Sequence, residues 1–273
     1  MNNNTNNNVG ILVCSCDKYS DVWKPMFEMF FKFWPDCPYN IYLMANHKDF
    51  EDKRITTLCT GDDVSWSIGF RKALESINED YVFIIMEDYI LQERVDSREF
   101  YNLIEYMIKE QAACIRTYPS LYSNEPFYGK FKNIKIGQVK KNDPYRISLQ
   151  AGLWKRQYVL SIIDDKDSAW EFEHMGSKRS KKDNSKVLCV LDKDHIIFNY
   201  YCTGIIQGYW IKEAVELCKK NGVQIDTSVR PIEPDEIRKK RIHSERDFIR
   251  LKTFLKKTFV YDMYRAHKYG RRV

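Results

Sequence analysis

The stretch Tyr81-Val82-Phe83-Ile84-Ile85-Met86-Glu87-Asp88-Tyr89 carries six largely apolar residues straight into two adjacent acids. It follows the polar break Asn78-Glu79-Asp80 and is rich in β-branched and aromatic side chains, so it reads as a strand buried on both faces, central in a parallel-type sheet. Glu87 and Asp88 then fall at its carboxyl end. In open α/β sheets that is the edge where ligands bind, and two carboxylates there suit a cation, a ribose or a sugar hydroxyl. A polar loop that merely follows a strand is the alternative.

Outward from this strand, elements alternate. Val9 to Cys14 reads as a strand and Ser15-Cys16-Asp17 as the turn after it. Asp21 is positioned to cap an aromatic-rich helix from Trp23 to Trp34, with Pro25 tolerated in its first turns and Pro35 stopping it. Asn40 to Ala45 and Ile55 to Cys59 read as strands, Ser65 to Ile77 as a helix, the segment after Asp96 as another helix, and Ala112 to Thr117 as a strand. This is a Rossmann-like α/β pattern. Beyond it, Tyr118 to Ile147 reads as irregular connections with short strands. Ser148 to Trp154 reads as a strand, Lys155 to Ile163 as a helix, and Ser168 to Glu173 as the start of another. Ser177 to Lys186, with five Lys or Arg, reads as a mobile loop. Val187 to Leu191 and His195 to Tyr201 are further strand candidates, and Trp210 to Lys220 a helix ended by Asn221-Gly222. The expected organisation is an Asn-rich lead over 1–8, a catalytic domain over 9–230 with halves 9–120 and 121–230, and a basic tail over 231–273.

The chain has 273 residues, enough for one large α/β domain, and a formal net charge of +6. From Arg238 to Val273 there are thirteen Lys or Arg against three acids, a net +10, which leaves −4 for the rest. The basic character belongs to the tail, and a net acidic body argues against nucleic-acid binding. Phe248, Leu251, Leu255 and Phe259 form an apolar stripe flanked by Arg250, Lys252, Lys256 and Lys257. Such a helix suits an anionic membrane surface; packing on the catalytic domain or on a second subunit is the alternative. Eight cysteines are scattered without a CxxC pair, which fits a reducing, cytoplasmic compartment, and Cys14-Ser15-Cys16 lacks the second ligand pair of a zinc site. No apolar run reaches the ~18 residues that span a bilayer.

Five polar features converge if the sheet is built this way: Ser15 to Asp17, Asp62 to Arg71, Glu87-Asp88, Gln150 to Trp154, and Trp170 to Glu173. The runs Asp63-Val64-Ser65-Trp66-Ser67, Tyr81 to Leu91, Gln150-Ala151-Gly152-Leu153-Trp154 and Ser168-Ala169-Trp170-Glu171-Phe172-Glu173 together resemble nucleotide-sugar-dependent glycosyltransferases of the GT-A type. The pattern is nearest to a bacterial group used in capsule and lipopolysaccharide assembly, and it covers most of residues 9 to 230.

The resemblance implies a GT-A mixed sheet flanked by helices and transfer of a monosaccharide from a nucleotide sugar, a UDP-sugar foremost, to a hydroxyl of a glycan or lipid-linked glycan. It places the donor against Cys14, Ser15, Cys16, Asp17 and Tyr19, with Asp63, Trp66, Ser67, Arg71, Glu87, Asp88 and Tyr89. It places the acceptor against Gln150, Ala151, Gly152, Trp154 and Trp170. An inverting reaction needs a carboxylate base. Glu173 is favoured for it, with Glu171 and Asp88 the other candidate catalytic acids; a retaining transferase and a non-catalytic sugar-nucleotide-binding module are the alternatives. The group also holds Mn²⁺ or Mg²⁺ on an acidic motif. Here Tyr89 stands where the third acid is expected, and a neutral phenol is a poor ligand. Asp88 with a distant His195 remains the candidate metal pair, and Arg71 with a lysine the alternative neutraliser of the diphosphate. Asp62 and Asp63 are candidates to cap the helix through Ser65.

Overall fold

The computed structural model describes residues 8–117, 125–132, 134–192 and 196–240. Nine strands form one sheet in the order β3-β2-β1-β4-β9-β6-β10-β8-β7. They are β1 (Val9–Cys14), β2 (Asn40–Ala45), β3 (Ile55–Cys59), β4 (Tyr81–Met86), β6 (Cys114–Arg116), β7 (Phe127–Phe131), β8 (Ile134–Gln138), β9 (Gly152–Lys155) and β10 (Val187–Val190), while the short β5 (Ile90–Leu91) pairs outside this sheet with Tyr200–Tyr201. The first four are mutually parallel. β9 runs antiparallel between β4 and β6, β10 is parallel to β6, and the β7–β8 hairpin closes the far edge. The protein is a mixed α/β fold with this sheet flanked by helices.

Period two decides the layers. Ile11, Val13, Phe83 and Ile85 point to one face of the sheet, Leu12, Cys14, Val82 and Ile84 to the other. On the first face lie α1 (Ser20–Phe33), α3 (Ser97–Lys109) and α6 (Lys212–Lys220). Trp23, Phe27, Phe30 and Phe100 are among the aromatic side chains these helices bury there. On the second face lie α2 (Trp66–Ser76), α4 (Arg156–Ile162) and α5 (Ala169–Arg179), through Phe70, Leu74, Val159 and Phe172. β4 is therefore covered on both sides, as its unbroken apolar run requires. Each of Val82 to Ile85 contributes about 1.5–3 kcal/mol by burial.

Several boundaries differ from those expected. α1 begins at Ser20 with Tyr19 as its N-cap, and Asp21 pairs with Arg230 instead of capping. α2 is capped by Ser65, whose Oγ accepts from Ile68 N–H at 3.1 Å, so neither Asp62 nor Asp63 caps it. Of the expected strand over 148–154 only Gly152 to Trp154 lie in β9, and before it Glu173 takes the Leu149 N–H that a ladder would use. The expected loop at 177–186 is largely helical: α5 runs to Arg179 and a 3₁₀ turn follows over Ser180–Lys182. Its small residues explain this, since Gly176, Ser177 and Ser180 face the core while the lysines face water. The packed unit also continues past residue 230. Trp210 N–H donates to Pro231 O at 3.0 Å, Glu233 N–H donates to Trp210 O at 2.9 Å, and Arg238 pairs with Glu213. The amphipathic stripe of the tail lies outside the described residues. Among the described residues no helix is long and apolar enough to cross a membrane.

Candidate active site

The chain passes from β1 outward through β2 and β3, then returns to place β4 on the other side of β1. This reversal opens a crevice beyond the carboxyl ends of the two strands. Cys14 pairs with Met86, so Ser15-Cys16 and Glu87-Asp88 leave the sheet side by side. A cleft of about 210 Å³ lies there, lined by Cys16, Tyr19, Asn46, Thr60, Asp63, Trp66 and Ala169 among others, with Glu87 also contributing.

The two acids are not equivalent. Asp88 is 8% exposed and its Oδ2 accepts from Thr203 Oγ1 and from Ile205 N–H at 3.1 Å, while its carbonyl accepts from Gly204 N–H at 3.0 Å. Burial pushes its carboxyl up, and these donors pull against that shift. Glu87 is 7% exposed, and its Oε2 has no hydrogen-bond partner among the described residues. Burial and the neighbouring Asp88 push it up to about 8; the Arg230 guanidinium only partly offsets them. Near neutral pH Glu87 is therefore largely a neutral acid.

Asp88 fastens the segment from Thr203 to Ile205 to the end of β4, and this has a steric consequence. A Cβ on Gly204 would lie 2.8 Å from the Asp88 carbonyl oxygen. Gly204→Ala is expected to cost about 1–3 kcal/mol, read as a fall of several degrees in thermal midpoint; an unchanged midpoint would show that the segment yields freely.

Tyr89 explains how the acid edge reaches the second half of the fold. Its ring stacks on Tyr200 at 4.3 Å and its hydroxyl donates to Leu149 O at 3.2 Å. On the other side of that residue, Leu149 N–H donates to Glu173 Oε1 at 2.6 Å, joined by Ser148 Oγ at 3.0 Å. Asp88, Tyr89, Leu149 and Glu173 thus form one chain of covalent and hydrogen bonds. Burial raises the Glu173 carboxyl, against the pull of the Leu149 and Ser148 donors and the Arg116 charge.

The other expected site residues divide by what holds them. Cys16, Tyr19, Asp63 and Trp66 line the cleft. Ser15 lines it too, while its Oγ accepts from Trp23 Nε1 at 2.7 Å. Trp170 is 81% exposed on the first turn of α5, next to the cleft-lining Ala169. Gln150 is half-buried, its N–H donating to Ser148 Oγ at 3.3 Å.

Corrections fall on the rest. Trp154 is 1% exposed in the core between β4 and β6 and offers no sugar wall; Ala151 and Gly152 are buried with it. Cys14 contributes to the cleft wall from within the core, and Ser67 is fully buried. Asp17 accepts the backbone N–H groups of Asn46, His47 and Lys48; burial opposes the shift, but these donors hold its carboxyl below the usual range. It is a clamp on the end of β2. Arg71 donates to Asp165 Oδ1 at 2.7 Å and to Ile163 O at 3.1 Å, which ties α2 to the loop before α5 instead of to phosphate. Glu171 completes a capping box with Ser168 and is exposed, so of the two glutamates Glu173 is the one placed at the sheet edge.

A divalent cation held by the protein alone needs several oxygen ligands facing one point, whereas one shared with a diphosphate needs one or two free carboxylates. Here Asp88 Oδ2 is taken by two donors, Glu87 is largely neutral, and Tyr89 is turned to Leu149. Among the described residues no three His, Cys, Asp or Glu side chains stand close enough to hold a metal ion. The residues present do not fit a protein-held metal centre around Asp88, and His195 lies outside the described residues.

Arg230, Thr203 and Ser148 are contributors that the sequence reading missed. Arg230 is 7% exposed, donates to both Asp21 oxygens at 2.8 and 2.9 Å and to Lys18 O at 3.0 Å, and lies over the Tyr19 ring at 4.5 Å. It sits beside Pro231, where the composition suggests an exit from the domain. Only the partner Asp21, 209 residues earlier, reveals its place.

No protein-family model matches the sequence, and no curated protein matches it. Among solved structures, S. aureus TarS 1-349 in complex with UDP-GlcNAc is similar at 10% identity, over 77% of this chain and 64% of that one, with a TM-score of 0.48. The bifunctional IspDF from Campylobacter jejuni is similar at 13% identity, over 70% and 52%, with a TM-score of 0.40. A cytidylyltransferase from Leptospira borgpetersenii serovar Hardjo-bovis (strain JB197) is similar at 12% identity, over 84% and 98%, with a TM-score of 0.41. Against TarS 1-349 without a named ligand, the chain spans 59% of that protein's length.

Proposed function

We propose that the protein is a glycosyltransferase that takes a monosaccharide from a nucleotide sugar, a UDP-sugar foremost, to a hydroxyl of a growing glycan. The observation that carries this reading is the bonded chain from Asp88 through Tyr89 and Leu149 to Glu173, which ties a buried carboxylate to the edge of the switch-point cleft. The nucleoside would occupy the cleft between Tyr19 and Trp66, above Glu87. A neutral Glu87 does not repel the donor's diphosphate, and the Arg230 charge beside it is met by Asp21.

In this reading Glu173 is the base of an inverting displacement. Its two donors, Leu149 N–H and the Ser148 hydroxyl, both bond Oε1, which leaves Oε2 to take the proton from the acceptor's hydroxyl oxygen. As that oxygen bonds to the anomeric carbon, the bond to the nucleoside diphosphate breaks and the leaving group carries away the electron pair. A base whose carboxyl is raised by burial is better matched to this task near neutral pH than an exposed one.

The test is a thermal-shift titration with UDP, GDP, CMP and their common sugar conjugates, each in Mn²⁺ and in EDTA. Stabilisation by one nucleotide is expected, about 2.7 kcal/mol at a hundredfold excess over Kd, and the donor set at Asp88 leads us to expect that it persists in EDTA. No shift with any nucleotide would end the transferase reading; binding without turnover would assign a non-catalytic module.

A further inference from the structure

The surface that leads away from the cleft along α5 has a composition the donor site does not use. One face of the helix is buried through Phe172, Gly176 and Ser177. Trp170 stands exposed in its first turn and Lys178 is exposed two turns on, about 12 Å along the axis, and Lys181 and Lys182 follow in the exposed 3₁₀ turn. The loop over 139–149 packs along the same helix. Ile147 N–H donates to Ser177 Oγ at 2.9 Å, Lys141 Nζ donates to Asn184 Oδ1 at 2.6 Å, and Arg146 donates to Val139 O and Ser185 O. Lys140 and Lys141 therefore share a surface with the lysines after α5.

Charge on this surface is unbalanced. Lys140, Lys178, Lys181 and Lys182 have no ion-pair partner among the described residues. Three acids stand near them, Asp143, Asp183 and Glu171, each accepting a local donor, and against Lys140, Lys141, Lys178, Lys181 and Lys182 they leave an excess of two positive charges. An exposed indole beside a cleft is a flat platform for the apolar face of a sugar ring, and a row of lysines beyond it attracts repeated negative charge. A membrane-seated helix would carry several apolar anchors between its cations. On α5, Trp170 is the only large hydrophobic residue that is exposed.

We infer that this face is the binding track for an anionic glycan, with Trp170 against the sugar at the cleft and the lysines of α5 and the 139–149 loop against carboxylates or phosphates further along the chain. Its role as the acceptor track rests on the transferase reading; the binding does not. The decisive measurement uses the full chain with fluorescent hexagalacturonate, with maltohexaose as the neutral control and with phosphatidylglycerol vesicles. Both Lys178→Ser/Lys181→Ser/Lys182→Ser and Trp170→Ala change exposed residues, and the UDP-induced thermal shift of the triple lysine variant is expected to match the parent's.

The triple variant is expected to bind hexagalacturonate roughly tenfold more weakly at low salt, and Trp170→Ala severalfold more weakly, with little binding of maltohexaose by any of them. Undiminished binding in both variants would overturn the track and assign the polyanion to the basic tail. Loss of vesicle binding alone would overturn it in favour of a membrane face. If no nucleotide shifts the parent protein while both variants still lose hexagalacturonate, the glycan surface stands and only the donor reading falls.

Discussion

Glu173→Gln is expected to lower sugar transfer by about 10²–10⁴-fold while leaving the thermal midpoint within a few degrees of the parent. The amide keeps a carbonyl oxygen in the place of Oε1, so Leu149 N–H and the Ser148 hydroxyl retain their acceptor. What it loses is the ability to take a proton. Glu173→Ala removes both, and it leaves two donors of nearly buried residues, Ser148 at 6% and Leu149 at 7% exposure, without an acceptor. Each such loss costs about 1–3 kcal/mol, so the alanine variant is expected to melt well below the glutamine variant. The pair separates scaffold from chemistry. Because the Glu173 carboxyl is raised in the fold, the turnover of the parent should climb with pH through that raised value as the base ionises, and the glutamine variant should lack this limb. Transfer by Glu173→Gln at the parent's rate would remove Glu173 as the base.

Much of this arrangement is legible in the chain because it depends on local pattern. The run from Tyr81 to Met86 has to be a central strand, since its side chains are apolar on both faces, and a central strand carries Glu87 and Asp88 to the ligand edge. The Ser168-Ala169-Trp170-Glu171 cap is likewise local, and it correctly starts a helix at Ala169. What stays hidden is long-range. Trp154 and Trp170 look alike as aromatic candidates for a sugar wall, yet one lies in a strand paired on both sides and the other in the first turn of a surface helix. Periodicity does not separate them, because the outcome depends on which strands flank β9. Tyr89 reads as an absent metal ligand, whereas its hydroxyl bridges to Leu149 across 60 residues of sequence. Arg71 and Asp17 are charged residues near the expected site whose partners, Asp165 and the backbone of 46–48, become visible only once the loops are in place.

Glu87→Gln is expected to raise the thermal midpoint relative to the parent as pH rises from 5 to 9, with little difference at the acid end. Glu87 titrates near the ordinary glutamate value of 4.5 when unfolded and at about 8 in the fold. At pH well below 4.5 it is protonated in both states and contributes no difference. Between those values the unfolded chain releases the proton and the folded one keeps it, so stability falls as pH rises. Above about 8 the folded protein must hold a charged carboxylate whose Oε2 finds no donor among the described residues, and the loss is complete. Glutamine has the same shape and no charge to bury. Asp88 and Asp21 raise Glu87 and Arg230 lowers it; all three remain in the variant, although Asp88 is relieved of its neighbour's charge and ionises more readily there. At roughly 2–4 °C per kcal/mol for a domain of this size, the gap at pH 9 should be several degrees or more. The same titration bears on the donor: above pH 8 a negative charge develops on Glu87 at the floor of the cleft, so UDP affinity should fall in the parent and hold in Glu87→Gln. A midpoint difference that stays flat from pH 5 to 9 would show that Glu87 is already ionised in the fold, and the uncharged floor proposed for the diphosphate would go with it.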